Sequence, residues 1–163
     1  MISNKISRTD YVVLTTYIGC WLLLLCAYAT SITSDYFVRS GMLLVGICAP
    51  IFLYAWYFRR LRITAVVLLW FLVGIIQVCM MFLVMGNHDF DSINGSYASV
   101  LVCLPSMLIS FSLMRLLYWL FYKDELVITA PGNGHENGRK LRFMDYILSV
   151  AGATLFNLAP FLT

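Results

Sequence analysis

The segment Ile63–Met85 reads ITAVVLLWFLVGIIQVCMMFLVM, 23 residues without a single charged side chain. A helix of this length, at a rise of about 1.5 Å per residue, is long enough to cross the roughly 30 Å hydrocarbon core of a bilayer. In that medium only a helix or a closed barrel can satisfy its own backbone hydrogen bonds. The segment therefore predicts a transmembrane helix.

Three other segments have the same character: Tyr11–Thr33, Gly41–Phe58 and Tyr97–Tyr122. The whole chain is 61% hydrophobic and 12% charged, whereas charged residues make up about a quarter of a soluble domain. This composition excludes a soluble globular protein. The sequence predicts an all-α integral membrane protein in which residues 1–163 form a single polytopic membrane domain with four transmembrane helices.

The last 21 residues, Phe143–Thr163, form a further apolar segment. They are almost long enough to cross, and basic residues precede them, which would hold their start on one side. Asp145, Asn157 and Pro160 interrupt the apolar pattern, and no charge follows to stop the helix. We favour a fifth transmembrane helix over 143–163, and a re-entrant or interfacial helix is the alternative.

Basic residues are sorted between the connecting segments. Nine of the eleven Lys and Arg residues lie before the first span, between spans two and three, or after span four; the loop GNHDFDSINGS after span three has none. By the positive-inside rule the N-terminus, the Arg59–Arg62 turn and the segment 123–142 are cytosolic, as in a bacterial inner-membrane protein. The net charge of +3 is thus a topology signal, and direct nucleic-acid binding is not expected.

Small residues form a stripe on each of two predicted spans. Intervals of three, four and seven place them on one helix face, and close packing on small residues is what holds helices together in lipid. We interpret the stripes as packing interfaces within the chain or between copies of a homo-oligomer. A water-filled pore lined by the serines is the alternative. The residues are Thr15, Gly19, Cys26 and Thr30 on span one, and Ser99, Cys103, Ser106 and Ser110 on span four.

Arg115 is the one charged side chain deep in a predicted span. It can snorkel toward the headgroups, or it can form an intramembrane ion pair with Asp145, which lies at similar depth if the C-terminal segment enters from the cytosol. Gln77 in span three is interpreted as a hydrogen bond between helices. Pro50 and Pro105 are expected to kink spans two and four.

The sequence gives no support to catalysis. The two histidines, His88 and His135, fall on opposite sides of the membrane in the predicted topology, and no nucleophile has a neighbouring base. PGNGHENG at 131–138 lacks the Lys and Ser/Thr that a phosphate-binding loop requires. The five cysteines lie in predicted spans without metal-ligand spacing. We expect no enzyme activity, no metal and no cofactor.

The segment 123–142 is the longest stretch predicted outside the membrane. ELVIT at Glu125–Thr129 resembles a strand, a turn-rich stretch follows, and Arg139–Phe143 could form a return strand. A hairpin edge with a basic flank can dock a cytosolic protein by strand addition or by charge. The alternative is a linker whose basic residues only set topology. The candidate docking residues are Glu125, Val127, Thr129, Arg139, Lys140 and Arg142.

The overall plan resembles that of the membrane subunit of the Kiwa anti-phage defence system. The resemblance lies in chain length, number of spans and the basic segments RRLR at 59–62 and GRKLRF at 138–143. It implies a homo-oligomeric inner-membrane sensor and scaffold that recruits a cytosolic effector. Bacteriocin-immunity membrane proteins have a similar plan and are an alternative, as is a small channel or pore-forming subunit. No functional residue carries over from these groups.

The predicted topology can be tested by replacing the five native cysteines with alanine and labelling single introduced cysteines with a membrane-impermeant maleimide. We expect Asn94→Cys to be labelled from outside intact cells and Asn133→Cys only after the membrane is opened, because charge asymmetry sets orientation. External labelling at position 133 would show that the predicted topology is wrong.

Overall fold

The computed structural model describes residues 6–30, 35–84, 91–92, 95–124, 126–127, 135–136, 139–140 and 142–158. Almost all of these residues are helical. In chain order the helices are α1 (Arg8–Thr30), α2 (Asp35–Ala55), α3 (Phe58–Leu61), α4 (Thr64–Val84), α5 (Cys103–Tyr122) and α6 (Phe143–Leu158), with a 3-10 helix (Tyr97–Val102) immediately before α5.

Within the part of the chain that the structure describes, four helices are long and apolar enough to cross a membrane: α1, α2, α4, and α5 taken together with its 3-10 extension. The prediction of four helices of spanning length is confirmed, but several boundaries differ. Helix α2 ends at Ala55, and Phe58 already belongs to α3. Helix α1 begins at Arg8 instead of Tyr11. Helix α2 begins at Asp35, six residues before the expected Gly41, so Arg39 lies inside a helix and not in a loop.

Helix α5 is the centre of the bundle. Half of its spanning window is buried inside the protein, compared with 11% for α1. Its inner face packs against α2, α4 and α6, and the buried side chains there include Leu104, Met107, Leu108, Phe111 and Tyr118. Helix α1 is peripheral and contacts chiefly α2. The many exposed apolar side chains on α1, α2 and α4 are what a lipid-facing surface requires.

Glycines allow close approach around the start of α5. A Cβ atom on Gly46 of α2 would lie 2.0 Å from Val100 Cγ1, and one on Gly74 of α4 would lie 3.3 Å from Pro105 Cβ. Pro105 is the third residue of α5, which directly follows the 3-10 helix, and Pro50 lies inside α2. The expected kinks at these two positions stay predictions.

Helix α6 buries its polar face. Asp145, Ser149 and Gly152 are buried, while Phe143 and Val150 on the outer side are strongly exposed. The Tyr54 hydroxyl of α2 donates to the Ser149 carbonyl at 2.8 Å. With 16 residues the helix is about 24 Å long, which is shorter than the hydrocarbon core. A fifth transmembrane span over 143–163 is thus not confirmed, and residues 159–163 lie outside the described part of the chain.

The described residues include two short antiparallel strand pairs. Strand β1 (Asp91–Ser92) pairs with β2 (Gly95–Ser96), and β3 (His135–Glu136) pairs with β4 (Arg139–Lys140). The expected hairpin between 125–129 and 139–143 is not confirmed: Leu126 and Val127 are outside any strand, and Phe143 already begins α6. The Val127 N–H is engaged by the Asp145 carboxylate instead of a strand partner.

The close approach at Gly46 can be tested with a matched glycine. Gly46→Ala should destabilise the detergent-solubilised protein by about 1 to 3 kcal/mol, because the added methyl group overlaps the buried Val100 side chain. Gly19→Ala is the control, measured in detergent that keeps the chain monomeric, since nothing within the chain lies within 4 Å of its added Cβ. Thermal unfolding monitors both. Equal midpoints for the two variants would contradict the described packing.

Candidate functional site at the basic end of the bundle

Four parts of the chain meet at one end of the bundle. They are the start of α1, the turn around α3, the end of α5 and the start of α6, and hydrogen bonds join them across as many as 64 residues of sequence. We call this region the basic end, because the Arg59–Arg62 turn, Lys123 and Arg142 lie there. The described part of the chain has its densest polar contacts here.

Asp10 caps helix α1 from within. It is the third residue of the helix, and its carboxylate accepts hydrogen bonds from the Ser7 backbone N–H at 2.7 Å and the Ser7 hydroxyl at 3.0 Å. The Asp10 N–H in turn faces the Ser7 hydroxyl oxygen at 3.4 Å. This reciprocal arrangement is a capping box, and the negative charge also favours the helix N-terminus. It explains why α1 begins before the apolar segment does.

The same carboxylate joins α1 to the α3 turn. Arg60 Nε donates to Asp10 Oδ1 at 2.9 Å, a second guanidinium nitrogen forms an ion pair with Oδ2, and the Tyr57 hydroxyl donates to Oδ1. Asp10 is only 3% exposed. The hydrogen bond to Asp10 raises the pKa of Arg60, while burial, followed by the bond to Asp10, raises the pKa of the Tyr57 hydroxyl. The guanidinium therefore stays charged and the phenol neutral.

Arg62 and Arg115 extend the contacts to the other side of the α3 turn. Arg62 donates to the Leu126 carbonyl just beyond α5, and its guanidinium lies 5.2 Å from the Phe58 ring centroid. Arg115 of α5 donates through Nη1 to the Arg62 carbonyl at 3.0 Å. The turn is thereby attached both to the body of α5 and to the chain that follows it.

Asp145 repeats at α6 the role of Asp10 at α1. It is the third residue of its helix, is completely buried, and accepts from the Arg142 N–H at 2.7 Å and the Val127 N–H at 3.3 Å. The Ser149 hydroxyl donates to the Asp145 carbonyl at 2.5 Å. The predicted ion pair between Arg115 and Asp145 stays a prediction. What the contacts above establish is that Asp145 caps α6 and holds the chain at Val127.

The candidate docking residues have different surroundings. Val127 is 5% exposed, so its side chain packs into the bundle and cannot present itself to a partner. Arg142 is exposed, contacts Asp124 at 3.7 Å, and lies 5.1 Å from the Tyr122 ring centroid. Arg139 and Lys140 form β4. Glu125 and Thr129 lie outside the described residues.

The two small-residue stripes are not equivalent. On the α5 side Cys103 and Ser110 are buried, Ser99 and Ser106 are half-buried, and the Ser106 hydroxyl bonds back to the Cys103 carbonyl at 2.9 Å. This stripe packs inside the chain. On α1, Thr15, Cys26 and Thr30 are exposed and Gly19 is half-buried with open space beside it. A packing role for the α1 stripe requires a second copy of the chain and stays a prediction.

Gln77 forms the interhelical hydrogen bond that was predicted. Its Nε2 donates to the Tyr17 hydroxyl oxygen of α1 at 2.6 Å, and both residues are buried. The Tyr17 ring meets the Trp70 ring edge-on with centroids 5.4 Å apart. This contact locks α1 to α4 by polar and aromatic packing, and it leaves Gln77 in a structural role.

Among the described residues, cavities of two kinds open on the helix surfaces. One of about 450 Å³ lies between α1 and α2, over Tyr17 and Trp70, and is walled almost wholly by apolar side chains. The other, of about 280 Å³, lies between α5 and the α3–α4 region and includes Ser112 and Arg115. Among the described residues no group of three or more His, Cys, Asp or Glu side chains is placed to hold a metal ion.

Comparison of the chain with known protein families, characterised proteins and solved structures found no match. Sequence reasoning missed the Asp10 cluster, although Ser7-x-x-Asp10 before an apolar segment is a recognisable helix-start signal. Its partners Tyr57 and Arg60 lie about fifty residues away, and no local pattern identifies them.

The contribution of the Asp10–Arg60 pair can be measured by a double-mutant cycle. Asp10→Ala and Arg60→Ala should each destabilise the protein, and the double variant should lose less than the sum by about 1 to 3 kcal/mol, because the two side chains interact directly. Arg59→Ala, at an exposed neighbouring position, is the control and should change the unfolding free energy little. Additive losses would show that the pair contributes nothing to the fold.

Proposed function

We propose that this chain is a non-enzymatic scaffold and sensor subunit of the bacterial inner membrane, with its basic end in the cytosol. It assembles as a homo-oligomer and presents the segment 123–142 to a cytosolic protein partner. A role in anti-phage defence, as the resemblance to the Kiwa membrane subunit implies, is part of the proposal. The observation that carries it is the way both ends of this segment are fixed to the bundle.

The start of the segment is attached at three points. Arg62 holds the Leu126 carbonyl, the Asp145 carboxylate holds the Val127 N–H, and the Leu126 and Val127 side chains are buried at 2% and 5% exposure. The ion pair of Asp124 with Arg142 lies across the base of the segment. A segment whose base is fixed on two helices is presented in a defined position, which lowers the ordering cost of binding a partner.

The small-residue stripe on α5 favours the function of a scaffold rather than that of a pore. Cys103 and Ser110 are buried against neighbouring helices, and the Ser106 hydroxyl is satisfied by its own helix. These groups thus serve as close helix contacts, for which small residues suit lipid-embedded packing, and do not face a lumen within the chain. The pore alternative would need a channel formed between copies.

Helix α1 offers the surface for self-association. It is the least buried of the four spanning helices, and the hydroxyls of Thr15 and Thr30 bond to carbonyls of the preceding turn. Its outward stripe can therefore approach a second helix without leaving a polar group unpaired. Helix α6, with its polar face inward and its apolar face outward, is proposed to lie within the membrane against α5.

The docking role can be tested by exchanging two loops of equal length. Replacing Pro131–Gly138 by a Gly/Ser linker should abolish recovery of the cytosolic partner while leaving insertion intact, because the flanking basic residues that set topology remain. The matched control replaces Asn87–Asn94, on the opposite side of the predicted topology, by the same linker. A photo-crosslinker at position 133, compared with position 94, identifies the partner and the side on which it binds.

The result that contradicts the proposal is specific. A 131–138 linker variant that inserts, assembles and recovers the same partner as strongly as the unmodified chain would reduce the segment to a connection between α5 and α6. Equal loss in both loop variants would point to damaged assembly and also reject a docking role for 131–138.

A further inference from the structure

The cavity of about 280 Å³ beside α5 combines a cation, a hydroxyl and an aromatic ring with an apolar wall. Ser112, Arg115 and Trp119 line it from α5, and Leu61 and Val67 line it from the α3–α4 side. The intervals of three and four residues place the α5 side chains on one helix face. Lys123 continues that face, with its ammonium 4.3 Å from the Trp119 ring centroid.

The position of the cavity along α5 limits what can fill it. Arg115 lies seven residues before the end of α5 at Tyr122, or about 10 Å along the axis. This depth is just below the headgroups at the basic end, and Trp is typical of that level. A water-soluble ligand would have to enter past lipid, whereas a phospholipid already has its acyl chains beside this site and its phosphate within reach of the long Arg115 side chain.

We propose that this cavity binds an anionic phospholipid, with the phosphate on the Arg115 guanidinium and an acyl chain along the apolar wall past Ser112. The guanidinium fork matches the geometry of phosphate oxygens. Its bond to the Arg62 carbonyl at 3.0 Å holds it at the edge of the cavity. Lys123 adds a second positive charge toward the headgroup region, which favours a lipid of net negative charge over a zwitterionic one. This site goes beyond the proposed recruitment of a protein and does not depend on it.

The larger cavity between α1 and α2 provides an internal comparison. Its wall contains no charged side chain, so it can take an acyl chain but has no means to select a headgroup. Filling it with Ala49→Leu should leave headgroup preference unchanged. Of the two cavities, only the one at Arg115 is therefore expected to select anionic lipid.

The test measures binding of phosphatidylglycerol and phosphatidylcholine to the purified full chain, by native mass spectrometry and by the shift of the thermal midpoint. The unmodified protein should retain phosphatidylglycerol preferentially. Arg115→Gln should weaken that binding about tenfold, the factor expected for loss of one charge-assisted hydrogen bond, and Arg115→Lys should weaken it less. Arg59→Gln removes the same charge at the same end, outside the cavity wall, and should bind as the unmodified chain does.

A second variant keeps the test decisive if Arg115→Gln fails to fold. Ser112→Leu fills the cavity with an apolar side chain at a half-buried position, and it should abolish the preference while the helices still assemble. The proposal is overturned if Ser112→Leu retains phosphatidylglycerol as the unmodified chain does, or if phosphatidylcholine binds equally well. Protection by inorganic phosphate alone to the same extent would also overturn it, because the site would then select a free anion and not a lipid.

Discussion

Two buried aspartates, each in the first turn of a helix, hold the basic end of the bundle together. Asp10 and Asp145 are each the third residue of a helix, and each accepts the backbone N–H of the residue just before that helix. Each then uses its remaining oxygen positions to bind another part of the chain: the α3 turn for Asp10 and Val127 for Asp145. Because a carboxylate can accept several hydrogen bonds, one side chain both starts a helix and fixes its neighbour.

Helix packing in the rest of the bundle follows from the properties of lipid as a medium. In lipid there is no hydrophobic force between helices, so contact area and close approach decide which faces meet. Gly46, Gly74 and Gly152 stand where a side chain from another helix presses on the backbone. Helix α6 has its polar side chains on the inner face, since Asp145 and Ser149 are buried while Phe143 and Val150 are exposed. The central position of α5 results from these contacts.

The sequence predicts the spanning helices because an uninterrupted apolar segment of about 20 residues is enough to identify a helix that can cross a bilayer. It does not predict which helix is central, since helices that are apolar all round show no preferred face. The start of α2 at Asp35 was missed because the charge of Arg39 suggested a loop. The spacing of Ser7 and Asp10 is enough to predict a capping box. The contact of Asp10 with Arg60 cannot be predicted from the sequence, because only the folded turn after α2 brings these two residues together. The sequence predicts that Gln77 forms a hydrogen bond between helices, but it does not identify Tyr17 as the partner.

A continuous set of hydrogen bonds connects the Arg115 cavity with the segment that is proposed to dock a partner. Arg115 donates to the Arg62 carbonyl, and Arg62 donates to the Leu126 carbonyl. The next residue, Val127, is held by the Asp145 carboxylate at the start of α6. An anion on Arg115 would compete for the same guanidinium that holds the α3 turn, and so it would bear on the position of Leu126. Coupling between two sites needs a physical connection that both can shift, and the hydrogen bonds of these two arginines would provide one between the Arg115 cavity and the segment 123–142.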